Sequence, residues 1–355
     1  MKKTSKANTA ELNTAPVTNK GQGESPWPLF DVFPKLHQRL APRSLCDLPT
    51  AVQPLNGLSE QAWVKRDDLT HKRYGGNKTR KFEFIAAEIL AANKKHVVTL
   101  GGTGTNHGVA TAMVCQQLGL KCSVITFNQP ASDFVDKNQS LMRHFGAKVI
   151  NAGPIALAAM RFYLNPRRLS KDYYFLPGGG AIPVATMAYV NGAFELKRQI
   201  DNQLCPEPME IYLPVSSAST LAGLTLGCAL AGLKSRVIGI RVLDSHMGPV
   251  ETCTESVVNK LMAQALDILA LEYPQAKINL PKVILRSDFF APGYGVSTPA
   301  TSKAIARAKD LGLTLDQTYS GKAFSAYLEA IKTTSKPILY WATYNSNPEP
   351  MGLEK

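Results

Sequence analysis

The sequence predicts an α/β protein with mostly parallel sheets that helices cover on both faces. Short apolar runs alternate with helical patterns from Trp63 onward, and this strand–helix alternation is typical of parallel sheets. The length of 355 residues suits two domains or one large α/β unit. Glycine-rich turns follow several of the apolar runs, as expected where parallel strands end at a ligand site.

The predicted elements follow in chain order. Apolar runs such as HVVTL, KCSVITF and PILYWAT indicate strands, and the stretches between most of them have a helical pattern. We predict strands at 96–100, 121–127, 147–152, 210–215, 235–242, 282–286 and 337–343. Helices are predicted at 80–93, 109–118, 136–145, 184–203, 219–232, 253–270, 299–310 and 322–332. The turns that could hold a ligand are 101–108, 178–180, 216–220 and 293–295.

Composition excludes several classes of protein. Hydrophobic residues make up 45% and charged residues 19% of the chain, which is ordinary for a globular enzyme and excludes a wholly disordered protein. No apolar run reaches about 18 residues, so no membrane-spanning helix is expected. Residues 1–26 lack periodicity and are expected to form a disordered tail. Their basic start leads into no apolar stretch, unlike a secretory signal.

The charge and the cysteines constrain partners and location. The net charge of +13 arises from 40 Lys and Arg against 27 Asp and Glu, which permits nucleic acid, acidic lipid or small anions as partners. The basic residues form no long run and accompany no nucleic-acid motif, so a solvated basic surface is the better interpretation. The six cysteines are scattered without a C-x-x-C pair. They indicate reduced thiols in a cytoplasmic protein and no metal site.

The segment WVKRDDLTHKRYGGNKTRK at 63–81 contains an unusual lysine. Lys78 follows Gly75 and Gly76 and stands where a helix opens, a place where the helix dipole disfavours a cation. Such a position tends to lower the pKa of a lysine, which suits an amine that must form an imine. Position alone favours the alternative, a solvated lysine in a basic loop.

Two turns could bind anions. The turn GGTGTNHG at 101–108 misses the G-x-G-x-x-G spacing of a dinucleotide fingerprint by one residue. It could instead form a nest of N–H groups, with Thr105 and Asn106 facing a carboxylate or phosphate. The turn SSAST at 216–220 could cradle a phosphate at a helix N-terminus. An ordinary helix cap explains either turn without a ligand.

Single residues near these turns are ambiguous. Tyr294 and Tyr319 stand beside glycines and could stack on a planar ring or relay a proton. Each alone is more often a packing tyrosine. His107 alone is more often a satisfied structural histidine than a catalytic one.

Taken together and in this order, these segments resemble the D-cysteine desulfhydrase and 1-aminocyclopropane-1-carboxylate deaminase family, pyridoxal-phosphate enzymes related to the tryptophan synthase β chain. The likeness covers roughly residues 35–345, and KRDDLT…GGNKTRK is its most specific piece. Supporting pieces are GGTGTNHG, LPGGG, STLAGL, GYGVSTP, TYSGKAF and YWAT. The resemblance implies a two-domain fold of type II, with a large domain at 27–80 and 181–355 and a small domain at 81–180.

The resemblance also implies pyridoxal 5'-phosphate as cofactor. Lys78 matches the lysine that holds it as a Schiff base and moves the proton at the substrate Cα, and Asn77 matches the residue that supports its ring. Thr343 matches a threonine near the pyridine nitrogen. The implied phosphate loop consists of Ser216, Ser217, Ala218, Ser219 and Thr220.

A small amino acid is the implied substrate. Thr105, Asn106 and His107 match the segment that grips its carboxylate, and Thr105 takes the place of a serine that shares in the chemistry. Tyr294 and Tyr319 match two catalytic tyrosines that flank the substrate. A homodimer is implied as well, without nucleic acid or membrane as a partner.

Three departures from the family pattern bear on the substrate. The methyl group of Thr105 is expected to narrow the space over the cofactor. The loop SSAST replaces a glycine-rich one, so its side chains crowd the approach of a phosphate, although their hydroxyls can act as donors. The segment ATYN at 342–345 replaces HTGG.

A fourth position helps to choose the reaction. Ser320 stands where ring-opening deaminases are expected to carry a glutamate, so we expect β-elimination, with D-cysteine converted to pyruvate, ammonia and sulfide. Four alternatives stay open. The reaction could be deamination of 1-aminocyclopropane-1-carboxylate or a racemisation, the substrate could be another β-substituted alanine, or the protein could bind the cofactor without catalysis.

Overall fold

The computed structural model of the protein describes residues 25–247, 250–276, 278–290 and 292–347. The predicted tail at 1–26 lies outside this part of the chain except for its last two residues. The helices are α1 (Leu29–Val32), α2 (Lys35–Leu40), α3 (Asn77–Ala91), α4 (Asn106–Gln117), α5 (Asp133–His144), α6 (Ile155–Tyr163), α7 (Pro183–Asp201), α8 (Ser219–Leu230), α9 (Glu255–Glu272), α10 (Pro299–Asp310) and α11 (Ser320–Ala330). The strands are β1 (Val52–Pro54), β2 (Ala62–Lys65), β3 (His96–Gly102), β4 (Lys121–Phe127), β5 (Lys148–Asn151), β6 (Tyr173–Leu176), β7 (Glu210–Val215), β8 (Arg236–Arg241), β9 (His246–Met247), β10 (Val250–Glu251), β11 (Ile284–Arg286) and β12 (Ile338–Trp341).

The larger sheet has six strands in the order β1-β2-β12-β7-β8-β11. Its neighbouring strands are parallel except for the edge pair of β1 and β2. Successive residues of a strand point to opposite faces. Ile211 and Leu213 of β7 therefore pack with residues of α7, α8 and α9, whereas Tyr212 packs with residues of α10 and α11. Helices cover both faces of this sheet.

The smaller sheet has four parallel strands in the order β5-β4-β3-β6. On one face Val97 and Val124 pack with residues of α3, α4 and α5. On the other face Val98 and Ile125 pack with residues of α6. The predicted α/β fold with mostly parallel, doubly covered sheets is confirmed.

Several short elements are absent from the prediction, namely β1, β2, β6, β9, β10, α1, α2 and α6. Helix α6 has the sequence IALAAMRFY, a short apolar run with one charge, which the sequence pattern does not distinguish from a buried strand. Two predicted helices also begin too late, because the glycine-rich turns lead directly into them. Helix α3 begins at Asn77 instead of residue 80, and α4 begins at Asn106 instead of residue 109.

The predicted domain boundaries stay a prediction. The smaller sheet lies within residues 96–176, and the larger sheet takes its strands from 52–65 and 210–341. The predicted boundary at residue 80 falls within α3. Among the helices of the described ranges, none has the length and hydropathy that a membrane span requires.

Candidate active site

A cavity of about 510 Å³ lies where β3, β4 and β7 end and where α3, α4 and α8 begin. Parallel α/β sheets form ligand sites at this position, beyond the carboxyl ends of the strands. Most of the residues singled out in the sequence line it: Asn77, Lys78, Thr105, Asn106, His107, Ser216, Ser217, Ala218, Thr220, Tyr294, Tyr319 and Thr343. Ser219 does not line it; its hydroxyl is buried and has no hydrogen-bond partner in the described part of the chain.

Two glycines fix the position of Lys78. A Cβ on Gly75 would lie 2.2 Å from the carbonyl oxygen of Asp68, and a Cβ on Gly76 would lie 2.6 Å from that of Thr343. Gly76 also has a φ of 105°, which glycine adopts without strain. The chain turns tightly here and starts α3 at Asn77, whose backbone N–H donates to Thr343 O at 3.0 Å. Lys78 is thereby held in the first helical turn, at the cavity.

The amine of Lys78 has a lowered pKa. Burial disfavours the ammonium form, and the carboxylate of Asp316 opposes this effect only in part, so the pKa is lowered to about 8. A substantial fraction of the side chain is then neutral near physiological pH. A neutral amine is the form that attacks a carbonyl carbon.

The other charges of the 65–81 motif form a buried ion network. Lys65 Nζ lies 2.5 Å from Glu195 Oε1, and Arg80 Nη1 lies 2.9 Å from Glu195 Oε2. Arg80 Nη2 lies 2.6 Å from Asp67 Oδ1, and the hydroxyl of Tyr189 donates to Asp67 Oδ2 at 2.9 Å. The two cations and two anions balance. These contacts join β2, α3 and α7 around Arg80, two residues after Lys78.

The pKa shifts of Lys65 and Glu195 favour different protonation states of their pair, the neutral amine for Lys65 and the charged carboxylate for Glu195. Burial outweighs the attraction of Glu195 and lowers the pKa of Lys65. Burial also raises the pKa of Glu195, but Arg80 and Lys65 outweigh it and lower that pKa to about 2. We assign the charged pair, because Lys65 Nζ faces a carboxylate oxygen and Thr50 O at 2.6 Å, both of which only accept hydrogen bonds.

The turn before α4 presents an amide toward the cavity. Asn106 Oδ1 accepts two hydrogen bonds, from the hydroxyl of Tyr74 at 3.1 Å and from Asn138 Nδ2 at 2.8 Å. With its oxygen occupied, Asn106 has the two N–H groups of its amide to offer to a ligand. Thr105 caps α4 by accepting from Gly108 N at 3.2 Å. A donor at a helix N-terminus suits a carboxylate.

The methyl group of Thr105 packs against glycine backbone. A Cβ on Gly101 would come within 2.9 Å of this methyl carbon, and a Cβ on Gly108 within 2.5 Å. Because Gly101 and Gly108 have no Cβ, they leave space for the methyl group of Thr105.

His107 is held as a neutral, buried ring. Its Nε2 lies 2.9 Å from the hydroxyl oxygen of Thr99, and its ring stacks on Phe82 with centroids 6.1 Å apart. Burial, together with the charges of Lys78 and Lys81, places its pKa well below the ordinary value. It has the environment of a structural histidine, and its predicted part in substrate binding stays a prediction.

The N-terminus of α8 forms the anion-binding end of the cavity. The first N–H groups of a helix lack partners within the helix and carry partial positive charge. Asn77 Nδ2 donates to Thr220 Oγ1 at 3.1 Å and so joins the starts of α3 and α8. Ala218 adopts a φ of 63° and a ψ of −30°, a strained conformation for a residue with a Cβ. The turn thus keeps a glycine-like backbone without glycine.

A second buried lysine near this end, Lys81, is not among the predicted site residues. Lys81 is 1% exposed, and its Nζ donates to Gly179 O at 3.4 Å. The hydroxyl of Ser217 donates to the same carbonyl oxygen at 3.2 Å. Burial and the neighbouring charge of Lys78 lower the pKa of Lys81 well below its ordinary value. A phosphate bound at α8 would stabilise its protonated form.

Two tyrosine hydroxyls form a pair on the far wall. Tyr294 and Tyr319 hydrogen-bond to each other through their hydroxyls, and their rings meet edge to face with centroids 5.9 Å apart. Burial raises the pKa of Tyr294 to about 12 and raises that of Tyr319 well above its ordinary value. Both hydroxyls are therefore protonated at physiological pH and can act as hydrogen-bond donors.

Asp316 also lines the cavity and is not among the predicted site residues. Its carboxylate accepts from Tyr319 N at 2.6 Å and from the hydroxyl of Ser320 at 2.6 Å, while its own N–H donates to that hydroxyl oxygen at 2.7 Å. Burial outweighs these bonds and raises the pKa of Asp316. Ser320 is fully buried and is not part of the cavity lining, so its hydroxyl serves the aspartate.

No cluster of metal-binding side chains occurs in the described ranges, and all six cysteines are free. The cavity instead joins an amine of lowered pKa, a helix terminus for an anion and a separate turn for a carboxylate. Such a site suits an enzyme that acts on amino acids with a phosphorylated aldehyde held on a lysine. The residues present fit pyridoxal 5'-phosphate.

Comparison with known proteins identifies the family. Residues 44–341 match the family described as pyridoxal-phosphate dependent enzyme, and the chain belongs to it. A nocardicin C-9' epimerase from Nocardia uniformis subsp. tsuyamanensis is 28% identical over 84% of this chain and 91% of its own length. A D-cysteine desulfhydrase from Klebsiella pneumoniae subsp. pneumoniae is 30% identical over 84% of this chain and 89% of its own length.

A solved structure supports the same conclusion. The crystal structure of an ACC deaminase homologue superposes with a TM-score of 0.73 at 26% identity, covering 88% of this chain and 94% of that chain. The protein is therefore a pyridoxal-phosphate dependent enzyme of the D-cysteine desulfhydrase and ACC deaminase group, with the fold of type II that the resemblance implied.

Proposed function

We propose that the enzyme catalyses β-elimination on D-cysteine and forms pyruvate, ammonia and sulfide. The observation that carries the proposal is the arrangement of Lys78 and the Tyr294–Tyr319 pair on one cavity, beside the donor turn at Asn106. This arrangement provides a base for the Cα proton, a proton donor for a leaving group and a binding site for the carboxylate. The resemblance of the chain to a D-cysteine desulfhydrase supports the same reaction.

The cofactor supplies an electron sink for the bonding pair left at the substrate Cα. Lys78 Nζ would hold its aldehyde carbon, and Thr220, Ser217 and the first N–H groups of α8 would bind its phosphate. Lys81, whose Nζ shares the carbonyl oxygen of Gly179 with Ser217, would supply a positive charge near that end. The resemblance assigns Asn77 and Thr343 to the ring.

Lys78 takes the proton from the substrate Cα once its amine is free. Its pKa of about 8 lies near the operating pH, where a general base is most effective. The donors of Thr105 and Asn106 fix the substrate carboxylate and thus the direction of the Cα–H bond. His107 supports this turn from below.

The tyrosine pair serves the leaving group. One hydroxyl, of Tyr294 or Tyr319, donates a proton as the Cβ–S bond breaks, and the other hydroxyl stabilises the oxygen left behind through the hydrogen bond between them. Their raised pKa values keep both hydroxyls protonated, so that a donor is available to the leaving sulfur.

Two comparisons favour second candidates. The likeness to an ACC deaminase homologue favours ring opening of 1-aminocyclopropane-1-carboxylate, and the likeness to an epimerase favours inversion at Cα. Another β-substituted alanine is a further candidate substrate, and cofactor binding without turnover is the remote one. All these candidates share the cofactor site and differ in what leaves the substrate.

The test is a substrate panel with the purified, cofactor-loaded enzyme. The panel contains D-cysteine, L-cysteine, β-chloro-D-alanine and 1-aminocyclopropane-1-carboxylate, with keto acids identified as pyruvate or 2-oxobutyrate. We expect pyruvate and sulfide from D-cysteine. Formation of 2-oxobutyrate alone supports ring opening, and Cα deuterium exchange without keto acid supports epimerisation.

Two lysine variants accompany the panel. Lys78→Ala should abolish every reaction in it, because the amine that holds the cofactor and moves the Cα proton is gone. Lys309→Ala, at an exposed lysine of α10, is the matched control and should leave all rates unchanged. Turnover that survives in Lys78→Ala would contradict the proposed role of this lysine.

The assembly and location are also proposed. The resemblance favours a homodimer, and the six free cysteines suit the reducing cytoplasm. The substrate is a small amino acid; neither nucleic acid nor membrane is proposed as a partner. Light scattering coupled to size exclusion should give twice the 38.5 kDa mass of the chain.

A further inference from the structure

Part of the cavity lining is apolar and contains none of the groups assigned to cofactor and carboxylate. Helix α6 presents two faces to its surroundings here. Ala158 and Phe162 are fully buried against the smaller sheet, whereas Ile155, Ala159 and Tyr163 line the cavity at intervals of four residues. Residues four apart lie on the same face of a helix. One complete face of α6 is therefore a cavity wall.

A second group of apolar residues also lines the cavity. It consists of Leu243 and Val257, together with Phe127 at the end of β4. Two polar residues also line the cavity here. The hydroxyl of Thr252 donates to Asp244 O at 2.5 Å and is thus occupied, and the side chain of Glu251 is 44% exposed to solvent. The wall therefore suits an apolar part of a ligand better than a polar one.

The thiol of cysteine is too small to cover such a wall. Apolar surface left against water costs about 25 cal/mol per Å², and apolar pockets of this size usually enclose an apolar part of their ligand. On α6 the small Ala156 and Ala159 leave the space open, where larger side chains would fill it.

We propose that the substrate carries an aromatic or other bulky apolar group on its β-sulfur, that is, a thioether of cysteine. This inference rests on the proposed β-elimination and names its substrate class. The apolar group contacts the cavity face of α6 together with Leu243 and Val257, while the amino-acid part lies at Lys78 and Asn106.

The overall reaction balances without an oxidant or reductant. The Cα proton leaves, the Cβ–S bond breaks with its electron pair on sulfur, and sulfur takes a proton to leave as a thiol. Water supplies the carbonyl oxygen of pyruvate, and nitrogen leaves as ammonia. One mole of thioether and one of water yield one mole each of thiol, pyruvate and ammonia.

The experiment compares S-benzyl-D-cysteine with D-cysteine in the cofactor-loaded enzyme. One methylene in an apolar pocket is worth roughly 10–200-fold in kcat/KM, so a benzyl group should raise kcat/KM at least about tenfold. Ala159→Phe fills the wall and should lower the ratio of the two kcat/KM values at least about tenfold. Met160→Phe is the control, because Met160 is on the same helix but 54% exposed; it should leave the ratio unchanged.

Each outcome decides one question. If D-cysteine is the better substrate, or if Ala159→Phe leaves the ratio unchanged, the thioether inference is overturned while the β-elimination stands. If neither compound yields pyruvate, the proposed β-elimination fails. Titration of the cofactor absorbance with D-phenylalanine and D-alanine then decides the substrate class. Tighter binding of D-phenylalanine by about tenfold supports the apolar site, and equal binding overturns it.

Discussion

The buried ion network beneath Lys78 allows a quantitative prediction for Lys65→Met. The variant removes one of two cations and leaves Asp67 and Glu195 with Arg80 alone. It also removes the donor to Thr50 O at 2.6 Å. An uncompensated buried charge costs about 3–5 kcal/mol. We expect the free energy of unfolding to fall by this amount.

The pKa of Glu195 leads to a similar magnitude. Its lowering from 4.5 to about 2 corresponds to roughly 3 kcal/mol of stability at neutral pH. Because the folded pKa lies below the unfolded one, this stabilisation is complete above about pH 4.5 and is lost as the pH falls toward 2. In Lys65→Met one of the two cations that lower this pKa is gone.

The assay is urea denaturation at a fixed cofactor concentration, since bound cofactor adds to stability. The matched variant is Lys65→Met/Glu195→Gln, which restores the charge balance by leaving Arg80 with Asp67. We expect the double variant to be about 1–3 kcal/mol more stable than the sum of the two single effects. Additive effects, or a loss below about 1 kcal/mol in Lys65→Met, would show that the network does not hold the fold in the manner described.

Three further predictions concern the cavity itself. The rate at which cofactor-free protein recombines with the cofactor should increase with pH around a midpoint near 8, the pKa of Lys78. Asp316→Asn should lower this midpoint, because the carboxylate of Asp316 raises the pKa of Lys78. An unchanged midpoint would contradict this effect of Asp316. Ala218→Gly should raise the free energy of unfolding by up to about 1 kcal/mol by relieving the positive φ, as measured in urea, and a loss would contradict the strain argument. Replacement of the proton-donating tyrosine, Tyr294 or Tyr319, by Phe should lower kcat for D-cysteine by about 10²–10⁴. Turnover of β-chloro-D-alanine should fall less, because chloride leaves without a proton. Equal losses with both substrates would contradict the proton transfer.

Local patterns predict much of the architecture. The strand at 121–127, the strand at 210–215 and the helix at 299–310 have the predicted bounds, because their apolar runs are bounded by clear turn signals. Helix α6 and the short strands escape prediction, since a short apolar run fits a buried strand as well as a helix. Yet α6 forms the wall on which the substrate inference depends.

The site is predictable in part, and the limits have a physical cause. Lys78 and the two turns stand in recognisable local segments. The network partners Glu195 and Tyr189 lie more than a hundred residues from Arg80, so no local pattern relates them. Asp316 stands four residues before α11 begins, in a turn that the sequence pattern does not single out, so its contacts with Tyr319 and Ser320 are visible only in the structure.

The central claim is that Lys78 holds the cofactor covalently. The most direct measurement is reduction of the loaded enzyme with borohydride, digestion with a protease and mass spectrometry of the peptides. The account predicts one mole of cofactor per mole of chain on the peptide that contains Lys78, and none after Lys78→Ala. A label on Lys81, its buried neighbour, or on any other lysine would contradict it.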